Sequence, residues 1–307
     1  MGPAAGRADG LDALSGILPR MEIAVVGAGR VGTAMAVLLQ RAGHEIAAVS
    51  GREATRERAA RFLPGVPVVS DDEAARSASV VLIGTPDGAI EAVCSALAGG
   101  GAFGPGSSVV HLSGATRLGA LEAARSAGAA VLSVHPLQTC PDVEAAVARI
   151  PRSVFAVTAD PDAAHELGER LALDAGGRPF RLEDAMKPLY HAAAVLASND
   201  LVVLTGLAAD AARGAGVPDP MAALEPLQRA TLDNIGAMGP AAALTGPAVR
   251  GETGTVEANL AALADHAPEA VRAYVVLAEA AVDLAERSGR LAPERGAAVR
   301  EVLDRWR

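Results

Sequence analysis

The chain has 307 residues, 21% of them charged and 50% hydrophobic, and a net charge of −9. This balance excludes a disordered chain and offers no basic face for nucleic acid. No apolar run reads as a clean bilayer span, so neither nucleic acid nor membrane is expected as a partner. Cys94 and Cys140 lie far apart in sequence, which makes neither a disulfide framework nor a metal cluster. A reducing cytoplasm, and no metal, is the expectation. The first twenty residues lack a basic start followed by an apolar core and read as a flexible tail. Aromatic residues are only 2%, so the core must be built from alanine, valine and leucine.

From Met21 the pattern changes. "MEIAVVGAGRVG" is a short branched apolar run followed by glycines, and "TAMAVLLQRAG" has helical spacing with a glycine stop. "HEIAAVSG" is a second apolar run and "REATRERAARFL" a charged helix. "SVVLIGTPD", "SSVVHLSG" and "AVLSVHPL" are further buried-looking runs, separated by the helical stretches "GAIEAVCSALA" and "LGALEAARSAG". "SVFAVTA", "PDAAHELGERLALDAG" and "RPFRL" add one more strand–helix–strand unit ending near Leu182. Buried runs alternating with helices predict an α/β fold: a doubly wound parallel sheet over residues 21–182. Residues 183–307 then read as an all-helical domain. Within it, residues 184–213 are apolar nearly all round, as in a buried central helix or one shared with a second subunit.

The glycine loop carries the first functional signal. Gly27, Gly29 and Gly32 stand at G-x-G-x-x-G spacing between a strand and a helix, with Arg30 and Val31 at the helix start. That context makes the loop a dinucleotide site: a tight turn, close pyrophosphate approach, helix–strand packing and a helix N-terminus facing the phosphate. At the end of the second run an NAD enzyme usually has an acid. Here the sequence is "VSGRE", with Ser50 placed just after the strand and Arg52 following. A hydroxyl and a guanidinium suit a 2′-phosphate, so NADP is expected over NAD. Glu53 is the alternative acid if the strand ends later.

In open parallel sheets ligands bind beyond the carboxyl ends of the strands. Three runs end in polar chemistry there: Thr85, Pro86 and Asp87; His111, Ser113 and Gly114; His135 and Pro136. Thr85, Pro86 and Asp87 are assigned to the cofactor, Ser113 and His135 to the substrate. Helix caps or turns are the other reading of Asp87, Ser113 and His-Pro.

Lys187 is the only lysine in the chain; the other 26 of the 27 basic residues are arginine. His191 follows one helical turn later on the same face, and Asn199 flanks that face. Pro188 disfavours the α conformation at Lys187 and places it at or just before the helix start. There the helix dipole opposes a cation and lowers its pKa. Arginine holds its proton too tightly to act as an acid, whereas lysine does not. Lys187 and His191 are therefore the candidate catalytic pair, with Asn199 as a substrate contact. In the loop "LTGPAVRGETGTVEANL", Arg250 is the candidate clamp for a substrate carboxylate.

In this order, "GAGRVG", "TPD", "HLSG", "HPLQT", "KPLYHAAAVLASN" and "LTGPAVRGETGT" resemble a Rossmann-type oxidoreductase family whose C-terminal half is a domain of unknown function. More distantly the chain is similar to the 6-phosphogluconate dehydrogenase-like superfamily, with ketopantoate reductases, pyrroline-5-carboxylate reductases and β-hydroxyacid dehydrogenases. The resemblance implies an NADP-binding first domain and a helical second domain that pairs through its long helix into a homodimer. It implies that the lysine near the start of that helix, Lys187 by position, binds the substrate and handles its proton. His191 stands where ketopantoate reductases and β-hydroxyacid dehydrogenases tend to have asparagine. The expected activity is NADPH-dependent reduction of a small carbonyl acid of the ketopantoate type. A cyclic imine reductase of the pyrroline-carboxylate type and a non-catalytic NADP-binding dimer are the alternatives.

Overall fold

A computed structural model of the chain describes residues 19–307. The expected tail therefore lies outside the described residues, apart from Pro19 and Arg20. Pro19 accepts a hydrogen bond from Arg170 (2.8 Å) and Arg20 pairs with Glu45 (3.0 Å). The chain divides into two compact units, one ending at Ala194 and the other running from Val195 to Arg307. The change of sequence pattern at 182/183 coincides with the end of the last strand, while the first unit continues through the following helical turns.

In the first unit, β1 (Glu22–Val26), α1 (Arg30–Arg41), β2 (Glu45–Ser50), α2 (Glu53–Phe62), β3 (Val68–Val69), α3 (Asp71–Arg76), β4 (Val80–Ile83), α4 (Ile90–Gly99), β5 (Ser108–His111), α5 (Glu122–Ser126) and β6 (Ala130–Pro136) alternate as the pattern predicts. Then come α6 (Val143–Arg149), β7 (Val154–Asp160), α7 (His165–Asp174), β8 (Arg178–Arg181) and the larger part of α8 (Lys187–Ala197), whose last turn belongs to the second unit. The eight strands form one sheet in the order β3-β2-β1-β4-β5-β6-β7-β8. Apolar side chains fill both faces. Ile23, Val25, Leu82 and Leu132 pack with Met35 and Leu39 on one face, and Val26, Val81, Ile83 and Val131 pack with Ile90, Cys94 and Leu121 on the other. Burial on both faces is why these strands read as continuous apolar runs.

One pairing differs from the all-parallel expectation: β7 runs antiparallel to β6, and β8 is parallel to β7. Leu137 N donates to Val154 O at 2.9 Å, so the chain re-enters the sheet beside the point where it left β6. The link through α6 therefore does not carry the chain back to the start of the sheet, which a parallel pairing requires.

The second unit holds α9 (Asn199–Gly214), α10 (Pro220–Ala243), α11 (Thr253–His266), α12 (Val271–Arg287) and α13 (Pro293–Asp304). Val256, Leu260, Val275, Val282, Val299 and Leu303 form its core. α10 kinks at Gly239 (φ 79°), which precedes Pro240.

Two expectations for residues 184–213 are corrected. Helix α8 ends at Ala197 and α9 begins at Asn199, with Ser198 (φ −127°, ψ −69°) breaking the run. The stretch is also not buried within the chain: Leu196, Val202 and Val203 are 69%, 71% and 62% exposed. The helical stretch Asp184–Gly214 is long and apolar enough to cross a bilayer by length and composition, with a mean hydropathy of 1.6 in its 18-residue apolar window. The expectation that no such run exists is corrected accordingly. Its start is nonetheless anchored in protein, because Lys187 is fully buried in the first unit.

Candidate functional site

The glycine loop joins β1 to α1. Gly27 has φ +76°, and a Cβ there would lie 2.4 Å from Thr85 Cγ2 and 3.0 Å from Thr85 N. Position 27 thus needs glycine both for its backbone and for the close approach of the β4 end. A Cβ at Gly84 would meet Gly27 O at 2.9 Å, and one at Gly32 would meet Val25 Cγ1 at 3.1 Å. No side chain caps α1, and its first turn carries no acid. The N–H groups at its start, around Arg30 and Val31, are left for an anion. Arg30 itself is exposed, and its guanidinium donates to Pro141 O at 2.9 Å. Thr85 Oγ1 and Ser50 Oγ are buried without a partner. These two orphaned hydroxyls at the ends of β4 and β2, beside an uncapped helix start, fit a dinucleotide.

The β2 end differs in detail from the sequence reading. Ser50 is the last residue of the strand, pairs with Val69 in register and is fully buried. Arg52 stands at the N-cap of α2, is exposed, and makes no ion pair among the described residues. Glu53 opens α2. Sequence reading passed over Arg58, which lies on α2 and donates through Nε to Ala28 O of the glycine loop at 3.3 Å. Its place inside a charged helix gives no pattern to single it out. Pro86 and Asp87 are exposed, and Asp87 starts a short turn of 3-10 helix, Asp87–Ala89.

The second cluster lies at the ends of β5 and β6. Lys187 is fully buried. Its Nζ donates to Ser133 Oγ at 2.6 Å and to Ser113 O at 3.1 Å. Ser133 Oγ in turn donates to the same Ser113 carbonyl at 3.1 Å. Lys187 is helical (φ −54°, ψ −43°) despite Pro188, because the 3-10 turn Asp184–Met186 leads directly into α8. This corrects the expected displacement from the α conformation. Asp184 fixes that turn by accepting from Leu118 N at 2.8 Å. Burial lowers the amine to about 8, against the pull of Asp184 and Asp87, which raise it.

Three imidazoles surround this amine. His111 is fully buried and its Nδ1 accepts from Ser113 N at 3.2 Å, so Nε2 carries the proton and has no partner. Burial, with the nearby charges of Lys187 and His135, pushes it down to about 3. His135 is down to about 4 through burial and the charges of Lys187 and His191. Its ring lies against Gly114, where a Cβ would meet Cε1 at 2.8 Å. Its Nδ1 hydrogen-bonds Tyr190 Oη at 2.9 Å, the two rings meeting edge-on. Both histidines are therefore neutral near pH 7. His191 presents a buried Nδ1 without a partner and makes no hydrogen bond to Lys187. Ser113 contributes its carbonyl to the lysine, while its hydroxyl accepts from Ala115 N and Thr116 N, a turn-capping role.

Lys187, His191, Ser113 and His135 thus come together, with Ser133 and Tyr190, which sequence reading missed. Asn199 and Arg250 belong to the second unit. Asn199 opens α9 and is exposed. Arg250 is exposed and holds Glu252 with a fork of two bonds, 2.6 and 3.0 Å. The carboxylate it clamps in this structure is the chain's own. The second unit also has an apolar cavity of about 510 Å³ whose lining includes Leu207, Ala211, Leu263, Tyr274 and Leu277.

The fold and the glycine cradle define a Rossmann-type dinucleotide-binding protein with a helical C-terminal unit. The matched family models agree: residues 9–136 match the Rossmann-like domain and residues 153–281 match the domain of unknown function DUF2520. The chain is thus a Rossmann-like domain joined to a DUF2520 domain. Among solved structures, it is similar to a proposed NADP oxidoreductase from Bacteroides fragilis (TM-score 0.70, 22% identity, covering 85% of this chain and 98% of that one). It is similar also to protein TM1727 from Thermotoga maritima (0.67, 24%, 87% and 99%). A third is an imine reductase from Myxococcus stipitatus in complex with NADP+ (0.59, 14%, 93% and 99%). No curated protein matches the chain.

Proposed function

We propose that the chain is an NADPH-dependent reductase that delivers hydride to a small carbonyl acid, with ketopantoate-like 2-oxo acids as the substrate class. The observation that carries this reading is a single buried lysine with a depressed pKa, held at the strand ends of the sheet that bears the glycine cradle. Bound NADPH would supply the hydride. Gly27, Gly29, Gly32 and the start of α1 would hold its pyrophosphate, and Arg52 its 2′-phosphate. The NADP oxidoreductase and the NADP+-bound imine reductase that share the fold support this choice of cofactor.

The residues divide the remaining work. An ammonium has three N–H groups, and two of those on Lys187 are committed to Ser113 O and Ser133 Oγ. The third is left to protonate the oxygen that gains charge as hydride arrives. The neutral amine that remains keeps both of its bonds. His111 and His135, neutral near pH 7, add no charge that would repel a cationic donor. Asp184 and Asp87 are the carboxylates that act on the amine, and His111, Ser113, Ser133, His135 and Tyr190 add none. The Lys187 ammonium favours a carboxylate-bearing carbonyl over an iminium ion, which it would meet as a like charge. A ring imine of the pyrroline-carboxylate type is the second reading, favoured by the fold shared with an imine reductase.

We propose further that the chain acts as a homodimer through residues 184–214. The exposed Leu196, Val202 and Val203 support this pairing, since water is an unfavourable surrounding for so much clustered apolar surface.

A panel of 2-oxo acids and cyclic imines, followed by NADPH oxidation with NADH in parallel, tests the proposal. Oxo acids turned over with NADPH preferred support it. Turnover of imines alone, or NADH preferred, overturns it. Lys187→Arg keeps the charge and loses the acid, so it should cut turnover by about 10²-fold or more while leaving NADPH affinity nearly intact.

A further inference from the structure

We infer that Ser133 is the positioning residue of Lys187: its hydroxyl fixes the direction of the amine and sets how readily the amine gives up its proton. The catalytic consequence rests on the reading of Lys187 as a proton donor; the effect on the amine does not. Ser133 interrupts the apolar strand β6, "AVLSVHP", and is fully buried. A buried hydroxyl on a strand that otherwise packs valines and leucines costs free energy unless both its donor and its acceptor are used. Here both are used. The O–H donates to Ser113 O at 3.1 Å, so the oxygen lone pair faces Lys187 Nζ at 2.6 Å. The direction of the chain amine → Ser133 → Ser113 is thereby determined without choosing any hydrogen position freely. In-register pairing of His111 with Ser133 places the serine beside the strand that leads into Ser113, which locks both acceptors to the sheet.

The charged and titratable groups around the amine come from five places. Asp184 lies on its own turn, Asp87 follows β4, His111 ends β5, His135 lies on β6 and His191 lies one turn further along α8. The two aspartates favour the ammonium, burial opposes it, and His111 and His135 are neutral near pH 7. Ser133 Oγ is the shorter of the two hydrogen bonds to Nζ. A hydrogen bond from an ammonium is stronger than one from an amine. Removing the acceptor therefore favours the neutral form, and the titration midpoint must fall.

The chain has a single lysine, so protein grown on lysine carbon-13-labelled at Cε gives one side-chain signal that reports this amine alone. In Ser133→Ala its midpoint should fall by about one unit, a tenfold change in the proton equilibrium. Ser133→Thr, which keeps the hydroxyl, should hold within about 0.3 unit, a twofold change. Ser133→Cys, which keeps a weakly polar group as a poorer acceptor, should fall partway and serves if the alanine variant does not fold. A midpoint unchanged or raised in the folded alanine or cysteine variant overturns the inference. Because the titration needs neither cofactor nor substrate, it stands apart from activity. A shifted midpoint in a protein that reduces nothing leaves this inference and removes the reductase reading. Turnover with an unshifted midpoint does the reverse.

Discussion

Replacing Lys187 with methionine should stabilise the protein while disabling it. Burial depresses the amine from 10.5 to about 8, and that difference corresponds to about 3 kcal/mol against the folded state wherever both states are protonated. The sign follows from proton binding. Between about 8 and 10.5 the unfolded chain binds more protons than the folded one, so stability rises with pH across that window. Below about 8 the full penalty is present. Methionine removes it and fills nearly the same volume. The loss of two hydrogen bonds, about 1 kcal/mol each, works in the other direction. Ser133 Oγ still donates to Ser113 O, so neither is left without a partner. The net expectation at pH 7 is a gain of about 1 kcal/mol. The assay is urea unfolding followed by circular dichroism for both proteins between pH 6 and 10. The advantage of the variant should shrink and reverse as pH rises beyond about 8. A variant clearly less stable at pH 7, or a difference between the two proteins that does not change with pH, refutes the reasoning.

Gly27→Ala should abolish cofactor binding and cost about 1–3 kcal/mol of stability, since its φ of +76° and the Thr85 contact leave no room for a Cβ; cofactor titration by fluorescence and thermal unfolding check both. Arg52→Ala should weaken NADPH about tenfold, roughly 1.4 kcal/mol, and leave NADH within about twofold if the guanidinium binds the 2′-phosphate. Equal loss for the two cofactors would assign the arginine another role. Val202→Glu places a charge at a side chain that is 71% exposed; light scattering should find the wild type dimeric and the variant monomeric. A monomeric wild type ends the dimer proposal.

The features legible in the sequence share one property: their signal is local. The glycine loop reads from six letters and their neighbours, and Lys187 from its solitude among arginines. Strand identity read well because burial on both faces writes itself as continuous valine and isoleucine. The missing parts are set by pairings distant in sequence. Ser133 is one hydroxyl in an apolar run, and only the fold brings it within 2.6 Å of a residue 54 positions later. The antiparallel turn of β7 depends on where the chain re-enters the sheet, which apolar periodicity does not encode. Tyr190 sat in plain view in "KPLYH", but its role comes from His135 on another strand. Arg250 shows the opposite failure. Its carboxylate partner, Glu252, stands only two residues away, so a local ion pair satisfies the guanidinium that spacing alone assigned to a ligand.

The pH dependence of 2-oxo acid reduction by NADPH, measured in the wild type and in Lys187→Met, tests the central claim most directly. With Lys187 as the proton donor, the wild-type rate should be high below pH 8 and fall as pH rises through about 8, where the ammonium is lost. The variant should run slower by about 10²-fold or more, without that fall. A wild-type rate that stays level through pH 8, or a methionine variant at wild-type speed, would contradict it.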